Sequence, residues 1–260
     1  MASINVLYVT SFSPDLYQAT GRHLLRSYLE SDSDGRMLIC HEQGMAGEFR
    51  GLGGQFLVDD LDKSQLLSQW LKANRDIIPS YLGGDAGPCH CVGNDHATGC
   101  ASSWFNRNAS RWFRKIVSLD QAIQIADVDI IIWLDSDCRF KRKLTTKEIL
   151  DFFGEHAIFY LKSKDRTVME SGIVGFYLNR GGRDFIEITT RRYRSGEFRN
   201  YERWDDGYQF QVTVERHPEI MAVDLATHMS GYDDVVPNSP LGVYFNHFKG
   251  VHGPVLHLMH

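Results

Sequence analysis

At 260 residues, with 43% hydrophobic and 23% charged side chains, the chain has the size and make-up of one globular α/β domain with a full core. A net charge of −5 argues against a nucleic-acid-binding surface, and no run approaches the roughly 18 apolar residues that a membrane span requires. Five cysteines favour reduced thiols, and the start, Met1-Ala2-Ser3-Ile4-Asn5-Val6, carries no basic leader or cleavage site, so the expectation is a soluble, cytoplasmic protein.

The elements follow from apolar periodicity and turn residues. Residues 4–10 read as a first strand, and a helix follows Ser11-Phe12-Ser13-Pro14 to about residue 30. Residues 36–41 and 55–59 are predicted strands, and 62–74 a helix rich in Leu and Lys. Residues 83–100 are glycine-rich loop, which could act as a lid. Phe105, Ala109, Trp112, Ile116, Leu119 and Ile123 then recur at helical spacing, with Ser102 or Ser103 as cap. Arg107, Arg111, Arg114 and Lys115 fall off that apolar stripe and read mostly as a solvated face. Strands are expected at 128–134, 157–161, 172–178 and, shorter, 243–245, with helices at 145–153, 184–194 and 204–215. Strands alternating with helices predict a mostly parallel sheet flanked by helices.

One stretch carries the most chemistry. Residues 130–140 read Ile-Ile-Ile-Trp-Leu-Asp-Ser-Asp-Cys-Arg-Phe, an apolar run that stops at Asp135 and Asp137. Acids at the carboxyl end of a buried strand lie where open α/β sheets bind ligands. One intervening residue lets both extended side chains face one hard cation. Left unpaired, the two carboxylates would repel each other and any phosphate, and a divalent ion removes both difficulties.

In that context Asp135-Ser136-Asp137 resembles the Asp-X-Asp motif of nucleotide-sugar-dependent glycosyltransferases with the GT-A fold. Three further segments match in order: Glu170-Ser-Gly-Ile-Val-Gly-Phe-Tyr-Leu-Asn179, Trp204-Asp205-Asp206-Gly-Tyr-Gln209 and His247-Phe-Lys-Gly250-Val-His-Gly-Pro254. The last is similar to the C-terminal His-X-X-Gly-X-X-Lys-Pro-Trp segment of glycosyltransferase family 8, although Gly253 and Val255 replace its Lys and Trp. The resemblance implies a single GT-A-like domain over residues 1–260, with 1–137 as nucleotide-binding half and 138–260 as sugar- and acceptor-binding half. It implies a nucleoside-diphosphate-sugar donor, Mn²⁺ or Mg²⁺, and a glycan or other hydroxyl acceptor.

Chemistry gives each residue a role in such a site. Departure of a nucleoside diphosphate builds charge on a phosphate oxygen, which a cation held by Asp137, Asp135 and His247 would neutralise. Lys249, Gly250 and His252 are candidates for phosphate contact beside it. By resemblance, Thr10, Ser11 and Phe12 hold base and ribose, while Arg107, Arg114 or Lys115 reach the diphosphate or sugar. One of Asp205 and Asp206 caps a helix, and the other, Asp206 by preference, binds sugar hydroxyls or acts on the acceptor. Glu170 stands where the family pattern has an amide, and a carboxylate there could serve as general base for an inverting reaction. Stereochemistry stays open, leaning to retention.

Cys89-His90-Cys91, His96 and Cys100 come near the spacing of a zinc knuckle without matching it, so reduced, packed thiols are the stronger reading. Two other function classes remain. A haloacid-dehalogenase-type phosphatase would use Asp135 as nucleophile and could draw on Asp233 and Asp234. A non-catalytic nucleotide- or glycan-binding protein would need no metal-linked acid pair.

Overall fold

The structure is a computed structural model that describes residues 4–78, 106, 108–230 and 235–248. Its strands are β1 (Val6–Phe12), β2 (Arg36–His41), β3 (Phe56–Asp60), β4 (Ile130–Leu134), β5 (Cys138–Phe140), β6 (Ile158–Leu161), β7 (Glu170–Tyr177), β8 (Ala222–Asp224) and β9 (Phe245–His247). The helices of eight residues or more are α1 (Arg22–Ser31), α2 (Gln65–Ala73), α3 (Ala109–Ala122), α4 (Thr146–Phe153), α5 (Gly182–Arg194) and α6 (Asp206–Arg216). Among the described residues, no helix is long and apolar enough to cross a membrane.

Seven strands form one sheet in the order β3-β2-β1-β4-β7-β6-β8. All run parallel except β7, which lies antiparallel to both β4 and β6. The expected mostly parallel α/β sheet is therefore present. Alternation along each strand divides its side chains between two cores. Leu7, Val9, Ile131, Trp133, Val174 and Phe176 face the layer built by α2, α3, α5 and α6. Val6, Tyr8, Ile130, Ile132 and Ile173 face α1, α4 and the small β5–β9 ribbon. All five residues of β4 are buried, so the apolar run is a central strand covered on both sides.

Asp129, the acid just before that run, has a structural duty. Its carboxylate accepts from the Asn5 backbone N–H at 2.9 Å and from Asn179 Nδ2 at 3.2 Å. This ties β1, β4 and the exit of β7 together at the edge away from Asp135. Several boundaries differ from the sequence reading. The helix after β1 begins as a single turn, Pro14–Leu16, and a π turn, Tyr17–Gly21, before α1. Strand β7 starts at Glu170 instead of 172. The strand expected at 243–245 is instead a 3-10 turn, Pro240–Val243, followed by β9. Pro240 presets a helical φ there, and a side chain on Gly242 would stand 2.2 Å from the Pro237 carbonyl, so the chain turns tightly before it extends.

Strand β5 had no sequence signal of its own, and β9 had only the short strand expected at 243–245, which it meets at Phe245. They pair antiparallel, with Cys138 opposite His247 and Phe140 opposite Phe245. Phe140 and Phe245 meet at 4.8 Å between ring centroids, which supplies the ribbon with an apolar face.

Candidate active site

The carboxyl end of β4 opens into a turn that β7 holds in place. Asp135 donates its backbone N–H to the Gly172 carbonyl at 2.8 Å, and its own carbonyl accepts from Cys138 N at 3.0 Å. Asp135, Ser136 and Asp137 thereby come to line one cleft of about 110 Å³, with Ser11 and Ser13 from the end of β1 and Glu42 after β2. Helix α3 contributes Arg111, Trp112, Arg114 and Lys115, and the start of α6 contributes Asp206.

Lys115 organises the deep side of this cleft. It is 6% exposed and therefore inside the protein, in the cleft that Arg107, Arg114 or Lys115 was expected to reach and not on the solvated face read for most of that basic group. Of the expected stripe along α3, Ala109, Ile116, Leu119 and Ile123 are buried and Trp112 is half-buried, and the buried face is wider than that stripe, taking in Phe113 and Lys115. The Lys115 ammonium lies 2.9 Å from Asp135 Oδ1, forms an ion pair with Asp206, and donates to the Ser171 carbonyl at 2.9 Å. It also sits 4.9 Å from the Trp133 ring centroid. Burial alone would push its pKa down, but Asp135 and Asp206 outweigh that and hold it above the ordinary lysine value. Burial works to raise the Asp135 carboxyl; Lys115, the Trp133 indole and His247 together bring it below its usual range. The indole N–H donates to Asp135 Oδ1 at 2.6 Å. Asp135 is thus a fixed carboxylate with one oxygen committed to protein.

Asp137 is held differently. Its backbone carbonyl accepts from Phe248 N at 3.1 Å, while its Oδ1 is buried and accepts no hydrogen bond among the described residues. That oxygen faces His247 Nε2 at 3.4 Å. Asp137, Cys138 and His247 bring one ligand atom each within 4.8 Å of one another. The Cys138 thiol donates to the Gly172 carbonyl at 3.7 Å, and burial with the nearby acids pushes its pKa well up, so it stays protonated. The two atoms fit to hold a hard cation are therefore Asp137 Oδ1 and His247 Nε2.

The two acids before α6 divide their tasks. Asp205 is the N-cap, accepting from Tyr208 N at 3.3 Å, and pairs with Arg203 at 2.8 Å. Asp206, 2% exposed, turns inward to Lys115. Glu170 is engaged by Arg166 at 3.2 Å and by Gly172 N at 3.3 Å, and it does not line the cleft. Of the three β1 residues proposed for the nucleotide, Ser11 lines the cleft; Thr10 and Phe12 are buried and do not line it, Phe12 packing against Gly21. Arg114 lines the cleft with its guanidinium bound to Glu42 Oε2 at 2.5 Å.

Arg107, Lys249, Gly250 and His252 lie outside the described residues, as do Ser102 and Ser103, the 83–100 loop with Cys89, Cys91, His96 and Cys100, the Gly253-Pro254-Val255 stretch, and Asp233 and Asp234. Glu42, Trp112 and Ser171 belong to the site without having been picked out from the sequence. Glu42 had a usable signal, because it is an acid directly after a buried strand, as Asp135 is.

No family model matches the chain, and no curated protein matches it. Among solved structures it is similar to mouse xyloside xylosyltransferase 1 in its apo form, at 14% identity and a TM-score of 0.48, with 85% of each chain covered. It is also similar to the glycosyltransferase GlyE of Streptococcus pneumoniae TIGR4, at 10% identity and a TM-score of 0.47, covering 85% of this chain and 45% of that one. The apo form of GlyE gives 12% and 0.46 with the same coverage. At such scores no chemistry passes from those proteins to this chain.

Proposed function

We propose that the chain is a metal-dependent glycosyltransferase that moves a sugar from a nucleoside-diphosphate-sugar donor to an acceptor hydroxyl. The observation that carries this reading is the buried Asp137 Oδ1, without a hydrogen bond among the described residues and 3.4 Å from His247 Nε2, beside a cleft that also holds Asp135, Lys115 and Arg114. A carboxylate oxygen buried without a donor is costly unless a cation completes it. Neighbouring ligands of an octahedral Mg²⁺ or Mn²⁺ stand about 3 Å apart, given metal–oxygen distances near 2.1 Å. The Asp137–His247 pair fits that spacing, and oxygen with imidazole nitrogen suits such ions. Asp137 and His247 would hold the ion, and Asp135 would assist through its uncommitted oxygen or through water. When bound, the ion supplies Lewis-acid neutralisation of charge on the leaving diphosphate.

The remaining groups act around that centre. Arg111 and Arg114 offer guanidinium forks to phosphate oxygens from one wall of the cleft. Lys115 offsets one of the two charges on Asp135 and Asp206, which lowers the repulsion among the acids that share this confined space. Asp206, anchored by that ammonium, presents a fixed acceptor to the hydroxyls of the donor sugar or acceptor. Glu170, locked by Arg166, serves to shape the start of β7 and not as a mobile base.

The test is a donor screen with uridine and guanosine diphosphate sugars, with and without Mn²⁺, following release of nucleoside diphosphate. Turnover should require the metal, and Asp137→Ala should lower it on the order of a thousandfold while the circular dichroism stays unchanged. Full activity in EDTA would overturn the proposal. So would an aspartyl-phosphate on Asp135 seen by mass spectrometry, which is the mark of phosphatase chemistry.

A further inference from the structure

The cleft has chemically different ends, set by the order of the strands. Asp135 and Asp137 follow β4, while Glu42 follows β2, and β1 lies between the two. Two strand spacings separate them, about 10 Å. Glu42 is 8% exposed, and burial raises its carboxyl pKa in spite of the Arg114 guanidinium beside it. Arg114 fixes its Oε2, and Oε1 takes no hydrogen bond among the described residues. Its backbone is fixed as well, with Glu42 N donating to the Phe12 carbonyl at 3.2 Å.

Such a carboxylate is selective about what may lie against it. An anion would be repelled, and an apolar group would leave Oε1 buried without a donor. A neutral hydroxyl donor satisfies it, more strongly than it would a neutral acceptor, because the bond is charge-assisted. Taking the cleft, as proposed above, as the seat of a nucleoside diphosphate, the diphosphate belongs at the Asp137 end. What then reaches toward β2 is the ribose, whose two hydroxyls are donors without charge. We infer that Glu42 accepts a hydrogen bond from the ribose hydroxyls and so makes the site select ribonucleotides over their dideoxy counterparts.

Glu42 has a simpler duty available, which is to hold Arg114 in place for the diphosphate. That duty alone would affect every nucleoside diphosphate equally, whatever its sugar. The discriminating measurement is therefore a ratio. Isothermal titration with UDP, GDP, ADP and CDP, and with the 2′,3′-dideoxy form of each, is carried out on the full chain in the presence of Mn²⁺. The native protein should bind at least one ribonucleotide about tenfold more tightly than its dideoxy form, as expected for loss of a hydrogen bond to a charged group. Glu42→Ala should bring that ratio close to one. Glu42→Gln keeps the side-chain shape and one acceptor, and should give an intermediate ratio; it decides the matter if the alanine variant does not fold. A native ratio of one, or a native-like ratio in folded Glu42→Gln and Glu42→Ala, would overturn the assignment of Glu42 and leave the nucleotide site standing. Absence of binding by any of the nucleotides would bring down the nucleotide site and Glu42 with it.

Discussion

A methyl group at residue 172 would stand 2.9 Å from His247 Nε2 and 3.1 Å from its Cε1. The imidazole therefore rests on bare backbone, and the space that directs Nε2 toward Asp137 exists because Gly172 has no side chain. The same residue's carbonyl accepts from Asp135 N, so one glycine holds both the start of the Asp135–Asp137 turn and the imidazole. Gly172→Ala should push the ring aside with little loss of core packing, because the added carbon meets the end of a side chain and not backbone. Manganese affinity, read by electron paramagnetic resonance of the free ion, should fall by about ten- to a hundredfold, the effect of disturbing a group that supports a metal ligand. Unchanged affinity in a folded variant would remove Gly172 from this role. Residue patterns made part of this legible. The acids at the end of β4 stood out because an apolar run ended on them. Lys115 is legible as a cation near the donor, but its burial and its pairing with Asp135 and Asp206 are not, since nothing in its spacing among Arg107, Arg111 and Arg114 marks one cation as buried. Glu42 was passed over because a single acid after a strand has an ordinary turn role as well.

Among the elements, α4 and the β5–β9 ribbon are linked through one carboxylate. Thr145 and Glu148 form a capping box at the start of α4. Glu148 Oε1 also accepts from the Tyr244 hydroxyl at 2.8 Å, just before β9. Hydrogen bonds from Thr145 backbone and side chain, and from Tyr244, lower the Glu148 pKa to about 2 from its ordinary 4.5. A carboxyl depressed in the folded state stabilises it fully above the unfolded value, and that stabilisation is lost as pH falls through the folded value. The window here runs from about 4.5 down to about 2. Thr145→Ala should lower stability at neutral pH by about 1 kcal/mol, as loss of an N-cap does. It should also make the acid limb of a denaturation curve less steep in that window. Urea titrations from pH 2 to 7 check both; because the residue-145 backbone N–H still donates in that variant, Glu148→Gln is the control that removes the titrating group, and an acid limb of native steepness there would exclude Glu148. The capping residues were readable, since residues 145–153 were assigned as a helix with a Thr at its start. The ribbon was not. Its strands are three residues each, too short for periodicity, and their pairing spans more than a hundred positions of sequence.

At the scale of the whole molecule, the alternation of strands and helices predicted the parallel sheet, and that sheet is present. The antiparallel course of β7 was not predicted, because hydrophobic pattern reports which residues are buried and not which way a buried strand runs. That direction matters to the site. It brings the start of β7, with Ser171 and Gly172, to the same edge as the end of β4.

The sheet's centre also carries a consequence for the time course of folding. Strands β1 and β2 pair across a short connection, Leu7 opposite Arg36, whereas the seam between β1 and β4 joins residues 124 apart, as in the bond from Asn5 to Asp129. Closing the longer loop costs about 1 kcal/mol more in chain entropy, by the logarithmic growth with length. Long-range pairings of this kind slow a chain's assembly. The candidate site straddles that seam, with Ser11 and Glu42 on one side and Asp135, Asp137 and His247 on the other. Pulse-labelling hydrogen exchange during refolding should show the β1–β2 amides protected first and those of β4 later, and simultaneous protection would contradict this order. Competence to bind manganese, if the candidate site holds it, should then arise with the later phase, so that a partly folded chain, already rich in strand and helix, still lacks the assembled site.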